Sequence, residues 1–100
     1  MTKETKPWNP AERLTSPEAI ADYLDAALED GDPQVIAAVL GDIARARGMA
    51  EVARAADLSR ESLYRALSDS GNPSLATTLA VIKALGLSLS VRGAGHAIGA

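Results

Sequence analysis

The chain has 100 residues, of which 47% are hydrophobic, so its length and composition predict one folded domain. It contains no cysteine, which excludes disulfides and thiolate metal sites. Residues 1–42 carry three basic and nine acidic side chains, whereas residues 43–100 carry seven basic and four acidic ones. Such an asymmetry predicts two different partners, although a scatter of solvated charges would give the same counts.

Proline and polar residues dominate residues 1–15, which indicates an N-terminal arm outside the domain of residues 16–92. Trp8 either folds back onto the chain's own core or anchors a partner protein, because tryptophan is enriched in binding hot spots. The Gly-rich residues 93–100 are predicted to be a disordered tail. The polar start and the absence of a long apolar run predict a cytoplasmic protein with no membrane association.

Two helices are predicted after the arm. The first begins at Ser16 and Pro17 and ends at Gly31, and the second begins at Asp32 and ends at Gly48. The stretch from Leu14 to Ala44 contains seven acidic residues and no basic residue. The acidic face of the first helix is either exposed to solvent or the binding surface for a basic partner. Its candidate partner-binding residues are Asp22, Asp25 and Glu29.

Two short helices follow, over residues 49–56 and from Ser59 to about Leu67, joined by a turn at Asp57 and Leu58. This spacing predicts a helix-turn-helix unit. Ala53 supplies the small residue that a steep helix crossing requires. Three hydrophobic anchors are predicted to fix the pair to the core, namely Val52, Leu58 and Leu63. Asp57 stands where this motif usually has glycine, because the backbone there takes a positive φ.

One face of the second short helix is polar and predicted to contact DNA. Its arginines match the guanine edge, which a guanidinium binds through two hydrogen bonds. The start of this helix, the preceding helix and the following loop are placed to contact phosphates. The candidate DNA-binding residues are Arg54, Ser59, Arg60, Glu61, Tyr64, Arg65, Ser68 and Asn72. The alternative is an ordinary helical hairpin.

A fifth helix is predicted from the cap Ser74 to Gly86, with Leu75, Leu79, Ile82 and Leu85 facing inward. Residues 87–92 then alternate between apolar and polar side chains, which predicts a short β-strand. A single strand requires a partner, either the arm of this chain or the same strand of a second subunit. The predicted fold class is therefore all-α, with five helices and a short C-terminal β-strand.

Several segments resemble the family of addiction module antidotes, which are HigA-like antitoxins with a lambda-repressor/Cro-type (Xre) domain. The closest resemblance is carried by the run ADLSRESLYRALS at residues 56–68 and by GNPS at residues 71–74. YLDAALEDGD at residues 23–32, GDIARARG at residues 41–48 and KALGL at residues 83–87 are similar to the family too. The likeness covers residues 14–92.

The resemblance implies a type II antitoxin that binds operator DNA as a dimer and represses its own operon. It also implies a small basic toxin of the RelE/ParE superfamily as the second partner. The recognition helix would be residues 59–68, and a homodimer would read an inverted repeat. The resemblance assigns no toxin-contact residues; those named above come from charge and exposure.

The sequence contains no catalytic set, no metal-ligand spacing and no cofactor motif, so an enzyme is not expected. The one histidine, His96, stands in the Gly-rich tail, where nothing would orient it as a base. The sequence leaves two alternatives to an antitoxin open. One is a stand-alone prophage-type repressor, which a neighbouring short basic reading frame would argue against. The other is a protein-interaction module that has lost DNA binding.

Overall fold

The computed structural model describes residues 16–68 and 70–95. In these residues the chain forms five α-helices, as predicted: α1 (Pro17–Asp30), α2 (Pro33–Arg47), α3 (Met49–Ala55), α4 (Arg60–Ala66) and α5 (Leu75–Ala84). No helix among the described residues is both long and apolar enough to cross a lipid bilayer. The predictions for the arm with Trp8, for the end of the tail with His96 and for loop residue Asp69 fall outside the described residues.

Four of these helices begin at side-chain caps that the sequence marks. Ser16 accepts a hydrogen bond from the backbone N–H of Ala19 at 3.1 Å, and Asp32 accepts one from Gln34 at 2.9 Å. The hydroxyls of Ser59 and Ser74 each accept a bond of 3.0 Å from the N–H three residues later. Each cap satisfies a helix N–H that otherwise has no partner and contributes about 1 kcal/mol. The starts of α1, α2, α4 and α5 therefore follow from local sequence.

The core consists of aliphatic side chains from all five helices. Leu40 and Ile43 of α2, Leu63 of α4 and Val81 of α5 are fully buried. Helix α1 packs on α2, while α3 packs on α2, α4 and α5. Helix α3 thus lies at the centre of the fold, and its contacts hold α4 against the other helices.

Two leucines of α5 point outward, contrary to the sequence prediction. Leu75 is 70% exposed and Leu79 is 43% exposed, whereas Ile82 and Leu85 are buried as predicted. The buried face of α5 centres on Val81, Ile82 and Leu85. At about 100° of rotation per residue, Leu79 is turned by roughly 110° from that centre. Leu75 lies at the first position of the helix, where the core no longer covers it.

The predicted C-terminal strand is wrong for the described residues, because residues 87–94 form no strand there. A strand needs a neighbouring strand for its hydrogen bonds, and none is present among residues 16–68 and 70–95. Instead, Gly86 turns the chain with a φ of 81°, and the N–H of Leu87 donates to the carbonyl of Ile82 at 3.1 Å. The segment then runs beside α1, where Arg92 lies near two α1 carboxylates.

A partly buried hydrogen bond joins α1 to α2. The hydroxyl of Tyr23 donates to Asp42 Oδ2 at 2.9 Å, while Oδ1 of the same carboxylate accepts from Arg45 at 2.9 Å. Burial, followed by the hydrogen bond to Asp42 and its negative charge, raises the pKa of Tyr23 from 10.0 to about 12. The fold therefore favours the protonated phenol.

Replacing Tyr23 by phenylalanine is expected to lower the unfolding free energy by about 1–2 kcal/mol at pH 7, because the variant loses a hydrogen bond to a charged acceptor. The pKa of Tyr23 is higher in the folded chain than in the unfolded chain. The protonated side chain therefore makes its full contribution to the unfolding free energy below pH 10, and this contribution is lost as pH rises towards 12. Urea titrations of both proteins from pH 7 to 12 should show the difference shrinking above pH 10. A constant difference across that range would contradict the assignment.

Candidate nucleic-acid interface

A tight turn joins α3 to α4. Asp57 has a φ of 61°, the positive value predicted for this position, and it is the only non-glycine residue with a positive φ in the described part of the chain. The N–H of Leu58 donates to the carbonyl of Ala53 at 2.8 Å, and the N–H of Asp57 donates to Arg54 at 3.1 Å. These bonds end α3 and turn the chain into α4 within four residues.

The inward side of the pair packs as predicted. Val52 and Ala53 are buried on α3, Leu63 is fully buried on α4, and Leu58 in the turn is half-buried against the same core. Because Leu63 is anchored, the opposite side of α4 must face solvent. The packing therefore fixes which residues of α4 a partner molecule can reach.

The outward face of α4 carries two side-chain pairs, each of which joins residues one helical turn apart. The guanidinium of Arg60 lies over the ring of Tyr64, 5.9 Å from its centroid, a cation–π arrangement. Arg65 and Glu61 form a loose ion pair at 3.9 Å, and both side chains are largely exposed. An exposed pair of this kind contributes only about 0–1 kcal/mol, so Arg65 can exchange Glu61 for another acceptor at little cost.

Two of the residues predicted to contact phosphate, Ser59 and Arg54, make none of the side-chain contacts described on this face. The Ser59 hydroxyl donates to Ser62 Oγ at 2.9 Å and accepts from the Ser62 N–H, so its proton is used within the helix cap. This bonding argues against Ser59 as a phosphate donor. Arg54 is exposed on α3 and has no ion-pair partner among the described residues.

A polar groove of about 500 Å³ separates the end of α4 from the start of α5. It brings together three of the predicted residues, Arg65, Ser68 and Asn72, but neither Arg54 nor Ser59 lines it. The Ser68 hydroxyl donates to the carbonyl of Arg65 at 3.0 Å, so its proton, like that of Ser59, is used within the chain. The remaining polar lining residues are Ser62, Ser70, Ser74 and Thr77. Hydroxyls, an amide and one guanidinium are groups that bind phosphate oxygens.

Sequence reasoning missed the residue that closes this groove. A Cβ on Gly71 would lie 2.7 Å from both the carbonyl carbon of Ala66 and the carbonyl oxygen of Arg65. Only glycine lets the loop pass this close to the end of α4. The one signal in the sequence was a glycine among loop residues, which also fits an ordinary turn.

The acidic residues predicted to bind a partner lie on the exposed side of α1. Asp22 has no ion-pair partner in the described part of the chain, whereas Arg92 lies 3.8 Å from Asp25 and 3.4 Å from Glu29. The chain's own C-terminal segment therefore covers part of this acidic surface. All three contacting side chains are more than half exposed, so the contact can be displaced.

Comparison with known proteins gives the family. No solved structure matches the chain. An uncharacterized protein of Haemophilus influenzae is 49% identical over 92 residues, which cover 92% of this chain and 95% of the relative. Residues 4–93 match a family described as probable addiction module antidote protein. The chain belongs to this family and is thus an antitoxin of a toxin–antitoxin system, with a toxin as its partner.

Proposed function

We propose that the chain is a HigA-like type II antitoxin that neutralises a RelE/ParE-superfamily toxin and represses its own operon by sequence-specific DNA binding. In this proposal α3 and α4 form an Xre-type helix-turn-helix, and the protein acts in the cytoplasm as a homodimer. It carries out no catalytic step.

The observation that carries the DNA-binding proposal is the α3–α4 pair itself. A turn with a φ of 61° at Asp57 and the burial of Leu63 leave Arg60, Tyr64 and Arg65 on one exposed face. A helix of this exposure fits the major groove of B-DNA, and arginine binds guanine O6 and N7 there. Stacking on Tyr64 limits the freedom of Arg60 before DNA arrives, which lowers the entropy lost on binding.

The polar groove supplies the second part of the proposed interface. It adjoins the exposed face of α4 through Arg65, so a duplex on α4 brings a phosphate group towards Asn72. Phosphate contacts fix the register of a protein on DNA, whereas base contacts select the sequence. We therefore assign base reading to Arg60, Glu61, Tyr64 and Arg65. Positioning is assigned to Asn72 and the exposed Arg54, because the hydroxyl protons of Ser59 and Ser68 are used within the chain.

The charge distribution supports separate surfaces for the two partners. Helix α1 presents Asp22, Asp25 and Glu29 to solvent, and DNA repels such a surface. A basic toxin is attracted to it, and arginines of the toxin can replace Arg92 at Asp25 and Glu29. The acidic half of the chain can therefore bind toxin while α4 stays on DNA.

Fluorescence anisotropy tests the DNA half of the proposal. The full chain is titrated onto its own upstream DNA and onto a scrambled duplex of equal length, at two salt concentrations. We expect tighter binding to the native fragment and a steep loss of affinity with salt, because phosphate contacts release counterions. Equal weak binding to both duplexes would refute sequence-specific repression and favour a protein-interaction module.

Size-exclusion chromatography tests the toxin half. Mixing the antitoxin with the product of a neighbouring short basic reading frame should give a complex that weakens as salt rises, because the α1 surface is acidic. A complex that is insensitive to salt would move the toxin contact away from Asp22, Asp25 and Glu29.

A further inference from the structure

The C-terminal segment, residues 87–94, is fixed to the domain at its start and contacts α1 near its end. The side chain of Leu87 is partly buried and packs against the core. Further along the segment, the guanidinium of Arg92 lies 3.4 Å from Glu29 and 3.8 Å from Asp25. The segment forms neither helix nor strand between these two points. It is therefore a short tether that holds Arg92 beside two carboxylates of α1.

A pocket of about 240 Å³ lies between α1 and this segment. Leu24, Leu28 and Leu87 are among its apolar lining residues, and Asp25 and Arg92 line it too. Arg92 thus belongs both to the ion pairs with α1 and to the wall of the pocket. Release of Arg92 removes the cation from the pocket and leaves its carboxylate to another one.

We infer that the C-terminal segment is a built-in competitor of the toxin, with Arg92 bound where an arginine of the toxin would bind, an inference that rests on the proposed function. The toxin meets carboxylates that already have a guanidinium beside them. Its affinity for α1 is therefore set by the contacts that it gains, less the contacts that Arg92 gives up.

A tethered group competes effectively even when its contact is weak. The short tether keeps Arg92 at an effective concentration in the millimolar range around Asp25 and Glu29. Two exposed ion pairs together shift an equilibrium constant by about 3-fold to 10-fold. A single arginine on an unrelated protein at micromolar concentration does not overcome this competitor.

The competitor determines what kind of partner can bind here. A protein displaces Arg92 only when it makes further contacts beside the one that it takes over. The neighbouring groups on offer are the carboxylate of Asp22 and the leucine-lined pocket, which Asp22 also lines. The surface therefore fits a toxin that presents arginines of its own next to an apolar side chain.

Biolayer interferometry of the full chain with the product of the neighbouring short basic reading frame tests the competition. Arg92→Ala should bind this toxin about 3-fold to 10-fold more tightly than Lys83→Ala does. Both side chains are exposed, and Lys83 lies on α5 without an ion pair in the described part of the chain. The two variants have the same net charge, so long-range attraction of the toxin is matched between them. Arg92→Lys should stay near wild type, because an ammonium also forms loose ion pairs.

Removing the carboxylates tests the same contact from the other side. In a chain that carries Asp25→Asn and Glu29→Gln, adding Arg92→Ala or Lys83→Ala should give equal toxin affinities, because the competitor has lost its site. The free chain offers a readout without toxin. The heteronuclear NOE of the Gly93 amide should fall in Arg92→Ala and stay at the wild-type value in Lys83→Ala, and an unchanged value in Arg92→Ala would contradict the tethered contact.

The outcomes separate this inference from the proposed function. Equal affinity of Arg92→Ala and Lys83→Ala for the toxin would overturn the competition and leave the antitoxin function standing. Weaker binding of Arg92→Ala would overturn it as well, because the segment would then be part of the toxin interface. Absence of a complex with the wild type and with both variants would instead refute the toxin half of the proposed function, and the competition with it.

Discussion

Replacing Arg60 and Arg65 together by alanine is expected to abolish preferential binding to the upstream DNA. Each arginine that binds guanine through two hydrogen bonds contributes about 1–3 kcal/mol of discrimination, so the pair is expected to account for roughly 30-fold to 20,000-fold in affinity. The measurement is anisotropy on native and scrambled duplexes. The ratio of the two affinities should fall towards one, because the scrambled duplex is bound through its phosphates alone.

The double variant should fold as the wild type does. Both arginines are exposed, and their contacts are a cation–π pair with Tyr64 and a loose ion pair with Glu61. Exposed substitutions of this kind change stability by about 0.5 kcal/mol or less each. The control is Lys83→Ala combined with Arg92→Ala, which changes the net charge equally but lies outside α3, α4 and the groove. Unchanged operator affinity in the Arg60 and Arg65 variant would remove α4 from the DNA interface.

The sequence was sufficient for elements that short-range interactions determine. Ser16, Asp32, Ser59 and Ser74 each bond to an N–H two or three residues away, so the cap and the helix start are read from one short stretch. The positive φ of Asp57 was also predictable, since it follows from two short amphipathic helices joined by a turn.

Predictions failed where the outcome depends on residues distant in sequence. Apolar alternation at residues 87–92 fits a strand, but a strand forms only where a second strand is available, and the described residues supply none. The inward orientation of Leu75 and Leu79 failed because α3 packs against only one side of α5, and local periodicity does not say where that packing stops.

The acidic surface of α1 was likewise predictable only in part, because one of its contacts joins residues distant in sequence. Asp22, Asp25 and Glu29 could be grouped by their helical spacing, but the position of Arg92 beside Glu29 joins residues 63 apart. No local pattern predicts that contact. It changes the interpretation of the surface, because a toxin must now compete with a guanidinium of the antitoxin itself.

Gly71→Ala is expected to lower the unfolding free energy by about 1–3 kcal/mol, the usual cost of forcing extra atoms into a packed site. The new methyl group would meet the backbone of Arg65 and Ala66 rather than a flexible side chain, so the loop must move away from α4. For a domain of this size the melting temperature should fall by about 4–8 °C for each kcal/mol. Urea titration and thermal melting measure both quantities.

The same displacement should weaken operator binding in the protein that remains folded, because it moves Asn72, which follows Gly71 in the loop and lines the groove. Gly93→Ala is the matched control: a Cβ there would meet nothing within 4 Å, so stability and DNA affinity should both stay at wild-type values. If Gly71→Ala proves as stable as Gly93→Ala, the loop is not held against α4. If it is destabilised but binds DNA unchanged at a temperature where it is folded, the groove serves the fold alone, and α4 contacts DNA without it.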